Sequence, residues 1–148
     1  MIKIICVGKI KEKFFNEAMN EYLKRISKYV KISVIEVPDY NYDVSKTIYE
    51  EGRRILSRID EHDFVITTQL DGKLIDSPSL SKIIENNVAN NITLVIGGSY
   101  GLSSEVLKRS NYALSFSLLM FPHKLFRIML VEQIYRSFKI INNETYHK

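Results

Sequence analysis

The sequence predicts an α/β fold, a single domain spanning residues 1–148 with a mostly parallel sheet flanked by helices. Three observations predict it. Short β-rich runs alternate along the chain with longer segments whose apolar residues recur at helical spacing. Two of the runs, Ile2–Val7 and Ile92–Ile96, are nearly continuously apolar, as strands buried on both faces are. No internal repeat, low-complexity tract or linker divides the 148 residues, and a chain of this size removes roughly 70% of its unfolded surface from water in one core.

Taken in order, Ile2–Val7 reads as a buried strand. Lys13–Tyr29 reads as a helix, with Phe14, Ala18, Tyr22 and Ile26 each four apart. Ile32–Val37 alternates as a strand does, and Pro38 stops it. Val44–Ile59 is a polar helix whose inward residues are Ile48, Ile55, Leu56 and Ile59. Phe64–Thr68 is a strand, followed by a turn at Asp71-Gly72. Ser79–Asn90 is a short helix with Ser79 as its N-cap. Ile92–Ile96 is the strongest buried strand, and Tyr112–Phe116 a weaker one. Between them Ser103 and Glu105 open a short helix, with an N-cap and an acidic first turn. His123–Ile141 is the longest helix and is apolar on nearly all sides at its start, so one face is expected on the core and another on a partner subunit.

Composition excludes several classes. The single cysteine, Cys6, sits inside an apolar run and has no partner for a disulfide, which fits a reducing cytoplasm. The three histidines, His62, His123 and His147, are scattered, so no metal site is expected. Tyr112–Val131 is apolar but carries Pro122, His123, Lys124 and Arg127, so it fails as a membrane span. Met1–Val7 lacks the long apolar region and cleavage site of a signal peptide, and a cytoplasmic protein is expected. Charge is uneven: residues 1–31 hold eight Lys/Arg against three Glu, residues 32–99 six basic against eleven acidic, and residues 100–148 seven against three. Basic ends attract a polyanion such as RNA. Solvated helix faces give the same statistic, so charge alone identifies no substrate.

Ligands of open α/β sheets bind beyond the carboxyl ends of the strands. Three unusual segments fall at such ends: Thr67–Lys73, Gly97–Ser103 and Ser115–His123. In a parallel sheet all three open on one edge. Gly97 and Gly98 follow Ile96 directly and allow close backbone approach or positive φ. The loop is neither a G-x-G-x-x-G fingerprint nor a P-loop, and taken alone a structural turn explains it equally well. Phe116–Phe121 is an apolar loop ending in Pro122, which suits the first turn of a helix. A continued strand is the plainer reading of the run; an apolar loop with free backbone groups, suited to hold an adenine, is the other. Glu132 and Arg136 stand four apart in the favourable order. Tyr146-His147-Lys148 ends the sequence and offers proton-transfer groups if the tail is ordered.

These residues carry a family resemblance. Leu94–Ser103, then Phe121–Arg127, then Glu132–Arg136 and Tyr146–Lys148 closely resemble the ribosomal RNA large subunit methyltransferase H family, of the SPOUT class. Ile4–Lys9 and Glu21–Arg25 look like it too, so the likeness runs nearly end to end. The resemblance implies a C-terminal trefoil knot, a homodimer, and transfer of a methyl group from S-adenosylmethionine to N3 of a pseudouridine in 23S ribosomal RNA of the assembled ribosome. By motif position it assigns cofactor contacts to Thr68, Gly97, Phe116, Ser117, Leu118, Leu119, Met120 and Phe121. The family often has Leu where Thr68 stands. Its tail usually reads Gly-x-Pro-Tyr-His-Lys/Arg, whereas here Asn143-Glu144-Thr145 precede Tyr146.

The implied chemistry gives each candidate a role. An imide N3–H must lose its proton as the N–C bond forms, so a base and an oxyanion partner are needed. His147 with Tyr146 manages the proton, Arg136 stabilises charge on the base's carbonyl, and His123 shapes the loop after Pro122. Two rivals remain at this level: a non-catalytic RNA-binding module, which binds no S-adenosylmethionine, and an ordinary doubly wound nucleotide-dependent enzyme, against which the absent fingerprint argues.

Overall fold

The computed structural model describes residues 1–148. Five strands, β1 (Ile2–Val7), β2 (Ile32–Val37), β3 (Phe64–Leu74), β4 (Ile92–Ile96) and β5 (Tyr112–Ser115), form one sheet in the order β2-β1-β4-β3-β5. Every neighbouring pair is parallel. The helices are α1 (Lys13–Ile26), α2 (Val44–Leu56), α3 (Ser77–Asn87), α4 (Ser104–Arg109) and α5 (His123–Ile141).

Side chains alternate between the two faces of each strand, and the core divides accordingly. Ile2, Ile4 and Cys6 of β1 with Ile92, Leu94 and Ile96 of β4 join the larger cluster, under Met19 and Ile26 of α1, Leu80 and Ile84 of α3, and Leu130, Val131, Ile134 and Phe138 of α5. Ile5, Val65 and Val95 point the other way, against Ile55 of α2 and Val106 of α4. The result is three layers, with α1, α3 and α5 on one face and α2 and α4 on the other. At the amino-terminal edge, Lys3 is buried and pairs with buried Asp63 at 2.9 Å, which also accepts from the Thr93 hydroxyl at 2.8 Å. This polar knot ties together β1, β4 and the start of β3.

The order of elements and the starts of most of them match the sequence reading. Six boundaries differ; one is the end of the third helix, at Asn87 rather than Asn90, where Asn90 N–H closes a turn on the Asn87 carbonyl at 3.0 Å. The first helix ends at Ile26, and Tyr29 reaches the core from a turn, stacking on Phe138 at 5.6 Å. The second ends at Leu56, while Ile59 packs inward without helical backbone. Its fully buried stripe is Thr47, Glu51, Gly52 and Ile55, so two polar positions and a glycine face inward. The Asp71-Gly72 turn is absent: β3 runs on to Leu74, and its pairing with β5 slips between Thr68 and Lys73, both opposite Leu114. Gly72 is there for close approach, since a Cβ would meet the Leu114 carbonyl carbon at 2.7 Å. The third helix starts at Ser77, because Asp76 rather than Ser79 is the cap; Ser79 N–H donates to the Asp76 carboxylate at 2.9 Å. β5 ends at Ser115, one residue early, where the hydroxyl donates to backbone carbonyls of Leu70 and Ser117.

Candidate active site

The parallel sheet brings the three predicted segments to one edge. Together they line a cleft of about 380 Å³. Thr68–Asp71, Ile96–Ser99 with Gly101 and Leu102, and Leu114–Ser117 with Leu119–Phe121 form its walls; His123 and Phe126 close the α5 side. Of the eight cofactor positions, seven lie on these walls. Leu118 does not: its side chain is 75% exposed. The Thr68 hydroxyl is committed to the sheet, donating to the Val95 carbonyl at 2.8 Å.

The loop after β5 is held by short local bonds. Leu119 N–H donates to the Ser117 hydroxyl at 2.9 Å, and the Phe116 and Phe121 rings flank Phe126 at 4.8 and 6.4 Å. Its outer residues remain bare, with Leu119 71% and Met120 82% exposed. The glycine loop turns at Gly101, which has φ +84° and donates its N–H to the Gly98 carbonyl at 3.1 Å. Gly97 and Gly98 do not take positive φ, contrary to one of the two expected uses. They are needed for space: a Cβ on Gly97 would meet the Gly101 carbonyl carbon at 3.0 Å, and one on Gly98 would meet a Glu51 carboxylate oxygen at 2.6 Å.

Sequence reading missed two residues behind this edge. Glu51 is buried, accepts from Tyr40 N–H at 3.1 Å, and leaves its other oxygen without a hydrogen-bond partner; burial pushes its carboxyl above the usual range. Nothing in a polar helix marks it, because the buried stripe of α2 is not apolar. Arg127 is 3% exposed and ties α5 to the end of β1, donating to the Glu36 carboxylate at 2.6 Å and to the Val7 and Gly8 carbonyls at 3.3 and 3.1 Å. The signal was present as a charge within an otherwise apolar helical run. Burial and the neighbouring Arg127 hold His123 below the ordinary imidazole value, despite its contact with the Gly97 backbone, so the ring is neutral at pH 7.

The tail is ordered by its own chemistry. Asn143 stands where the family motif has glycine and adopts φ +55°, a conformation Asn tolerates better than most residues. Asn143 N–H donates to the Ile140 carbonyl and Glu144 N–H to that of Lys139, the two bonds of a Schellman end. Glu144 then pairs with Lys139 at 3.0 Å and accepts from the Tyr29 hydroxyl at 2.8 Å. The bend therefore survives without the Gly or the Pro.

Beyond the bend, Glu132 gathers the three catalytic candidates. One of its carboxylate oxygens accepts from Arg136 at 2.6 and 3.1 Å and from the Tyr146 hydroxyl at 3.1 Å. Arg136 also contacts His147 Nδ1 at 3.1 Å and lies over the Tyr146 ring at 4.8 Å. Desolvation first, and then Glu132, push the Tyr146 phenol up to about 12. His147 lines a second cavity of about 470 Å³ with Asp76, Ser77 and Gln133. The two cavities share Leu114, Ser115 and Phe116. The structure thus brings Arg136, Tyr146 and His147 together, but beside the cofactor cleft rather than in it. No group of three or more His, Cys, Asp or Glu is placed to hold a metal ion, and no helix is long and apolar enough to cross a membrane.

Known proteins resemble the whole chain. A family model described as "Predicted SPOUT methyltransferase" matches residues 1–147. Proteins named ribosomal RNA large subunit methyltransferase H are 49% identical in Clostridium botulinum strain Alaska E43 and 51% in C. botulinum strain 657, over 99% of both chains in each case. One from C. perfringens strain ATCC 13124 is 48% identical at the same coverage. Among solved structures, a probable methylase family protein from Haemophilus influenzae Rd KW20 aligns with TM-score 0.55 at 16% identity, covering 96% of this chain and 66% of that longer one, a likeness of fold alone. Matched along its length by the family model and by relatives of nearly equal extent, the chain belongs to the SPOUT methyltransferase family.

Proposed function

We propose that this protein transfers a methyl group from S-adenosylmethionine to N3 of a pseudouridine in 23S ribosomal RNA of the assembled ribosome. The observation that carries the reading is the convergence of the glycine loop and the apolar loop on one cleft, in a chain matched end to end by methyltransferase H relatives.

The cleft suits the cofactor. Its volume is that of a small-molecule site. Ile96, Leu114, Phe116 and Phe126 give an apolar seat for a purine, and the glycine loop closes to a distance that side chains would fill. When bound, S-adenosylmethionine supplies an electrophilic methyl group on a sulfonium. Gly97, Phe116, Ser117, Leu119, Met120 and Phe121 hold and orient it, with Thr68 on the wall. His147 accepts the N3 proton at Nδ1, the lone pair that Arg136 contacts in the free protein and yields when it turns to the base carbonyl, with the Tyr146 phenol fixed as a neutral donor at its side. Arg136 opposes charge on the base carbonyl.

The same reading makes the protein a cytoplasmic homodimer, knotted at its C-terminal end. The bare patch of Leu118, Leu119, Met120 and Leu125 favours the dimer. In a dimer, the tail of one protomer serves the cleft of the other, which accounts for its position outside its own cleft. The knot is supported by the path of the chain: Phe116, Ser117 and Leu119–Phe121 line the cleft with the ends of β3 and β4, and α5 then packs between α1 and α3. Calorimetry with S-adenosylmethionine tests the cleft. A heat of binding with one site per chain supports it; no binding leaves the non-catalytic RNA-binding reading.

A further inference from the structure

The proposed reaction leaves open what grips the RNA, and the segment joining β1 to α1 has features that the cofactor cleft does not use. Lysines alternate there at positions 9, 11 and 13, and all three are exposed. The residues between them are anchored. Ile10 is buried, and its N–H donates to the Glu36 carboxylate at 3.3 Å. Glu12 accepts two bonds from Lys124, at 2.7 and 2.9 Å. The Asn16 amide closes the turn on the Ile10 carbonyl at 3.0 Å. Lys9 and Lys11 have no acidic partner, and Lys13 has only a loose one, Glu17 at 3.8 Å.

Three further facts point outward from the same segment. α1 has no side-chain cap and no acid in its first turn, so its amino-terminal N–H groups keep their positive end unanswered. Phe14, in the first turn of α1, is 63% exposed, although Phe15 beside it packs on the core. The segment follows the carboxyl end of β1, on the edge that holds the cleft, and Lys124 joins it to the first turn of α5, next to His123. An anchored row of exposed cations, two of them unpaired, with a bare aromatic ring beside the cleft matches the chemistry of single-stranded nucleic acid, in which phosphates alternate with stackable bases.

We propose that Lys9, Lys11 and Lys13 bind the phosphates of ribosomal RNA flanking the target nucleotide, and that Phe14 stacks on an unpaired base there. The inference rests on the proposed rRNA methylation. Each phosphate contact contributes roughly 0.7–0.9 to the slope of log affinity against log salt. The full-length K9A/K11A/K13A variant is therefore expected to bind purified 70S ribosomes with a slope shallower by about 2, with its affinity for S-adenosylmethionine unchanged. The K9R/K11R/K13R variant should keep the wild-type slope. F14A should weaken ribosome binding roughly five- to a hundred-fold without changing the slope, and F14W should restore it. A triple-alanine variant with the wild-type slope overturns the proposal, while ribosome methylation by the wild type would still stand. F14A that shifts the protein from dimer to monomer in sedimentation also overturns it, since the ring would then be covered by a second copy. Failure of the wild type to bind or methylate ribosomes removes both readings.

Discussion

Replacing Glu132 with alanine removes the acceptor that gathers the tail. Its carboxylate oxygen takes two bonds from Arg136, the shorter at 2.6 Å, and one from the Tyr146 hydroxyl at 3.1 Å. A fully desolvated set of this kind is worth several kcal/mol. Here the side chains of Glu132 and Arg136 are 18% and 25% exposed, so water replaces part of what is lost. An i,i+4 ion pair of this exposure contributes about 0.5 kcal/mol, and the tyrosine bond to a charged acceptor about 1.5 kcal/mol. The ion pair lies within α5 and does not join the tail to it, so the docked tail should lose about 1.5 kcal/mol, or roughly ten-fold in occupancy. The T-shaped contact of Tyr146 with Tyr135, at 5.0 Å, survives and keeps some of the tail in place. Amide exchange over residues 144–148 reads the occupancy directly, and single-turnover methyl transfer reads the consequence. Exchange should accelerate by about that factor and turnover should fall at least ten-fold, with S-adenosylmethionine affinity unchanged because Glu132 does not line the cleft. Unchanged exchange in the variant would falsify the role given to Glu132; accelerated exchange with full turnover would refute the role given to the tail.

Other perturbations separate the parts of the site. Deleting residues 146–148 should abolish turnover while calorimetry still shows cofactor binding; normal methylation by the truncated protein refutes tail catalysis. Gly72→Ala places a Cβ at 2.7 Å from the Leu114 main chain, where no side chain can yield; chemical denaturation should show a loss of about 2 kcal/mol or more, and a loss under 0.5 kcal/mol contradicts the close-approach account. Arg127→Met leaves Glu36 without its charge partner and strands the β1 carbonyls; about 3 kcal/mol of destabilisation is expected, with little rescue by lysine, which lacks the planar fork. The raised Tyr146 pKa means that the fold favours the neutral phenol. That stabilisation is complete below the unfolded value near 10 and is lost as pH rises through about 12. Burial and Glu144 raise Tyr29 as well, so tyrosinate absorbance should show two late-titrating tyrosines, of which only Tyr146 moves earlier in Glu132→Ala.

Much of the fold was legible because parallel α/β order follows from alternating buried runs and helical spacing. The misjudged ends of the first two helices share one cause. Tyr29 and Ile59 are apolar and packed, yet they reach the core from turns, and periodicity does not distinguish the two. The Asp71-Gly72 pair looked like a turn because Gly is read first as conformational freedom, whereas here it admits the Leu114 backbone. The cleft was legible as a convergence of strand ends, and the cofactor proposed for it only through the family motifs. Glu51 and Arg127 escaped because their importance lies in burial and in partners distant along the chain: Gly98, and Glu36 with the end of β1. The tail's residues were legible; its docking on Glu132 was not, since that depends on Asn143 adopting a left-handed turn in place of Gly.

The account's central claim is methyl transfer to one pseudouridine of assembled ribosomes. Ribosomes from cells deprived of this protein, incubated with the purified protein and labelled S-adenosylmethionine, provide the direct measurement by mass spectrometry of 23S rRNA fragments. A single fragment should gain one methyl group, on N3 of a pseudouridine, with wild-type protein and not with the tail deletion. Cofactor binding without methylation of any 23S fragment would contradict it.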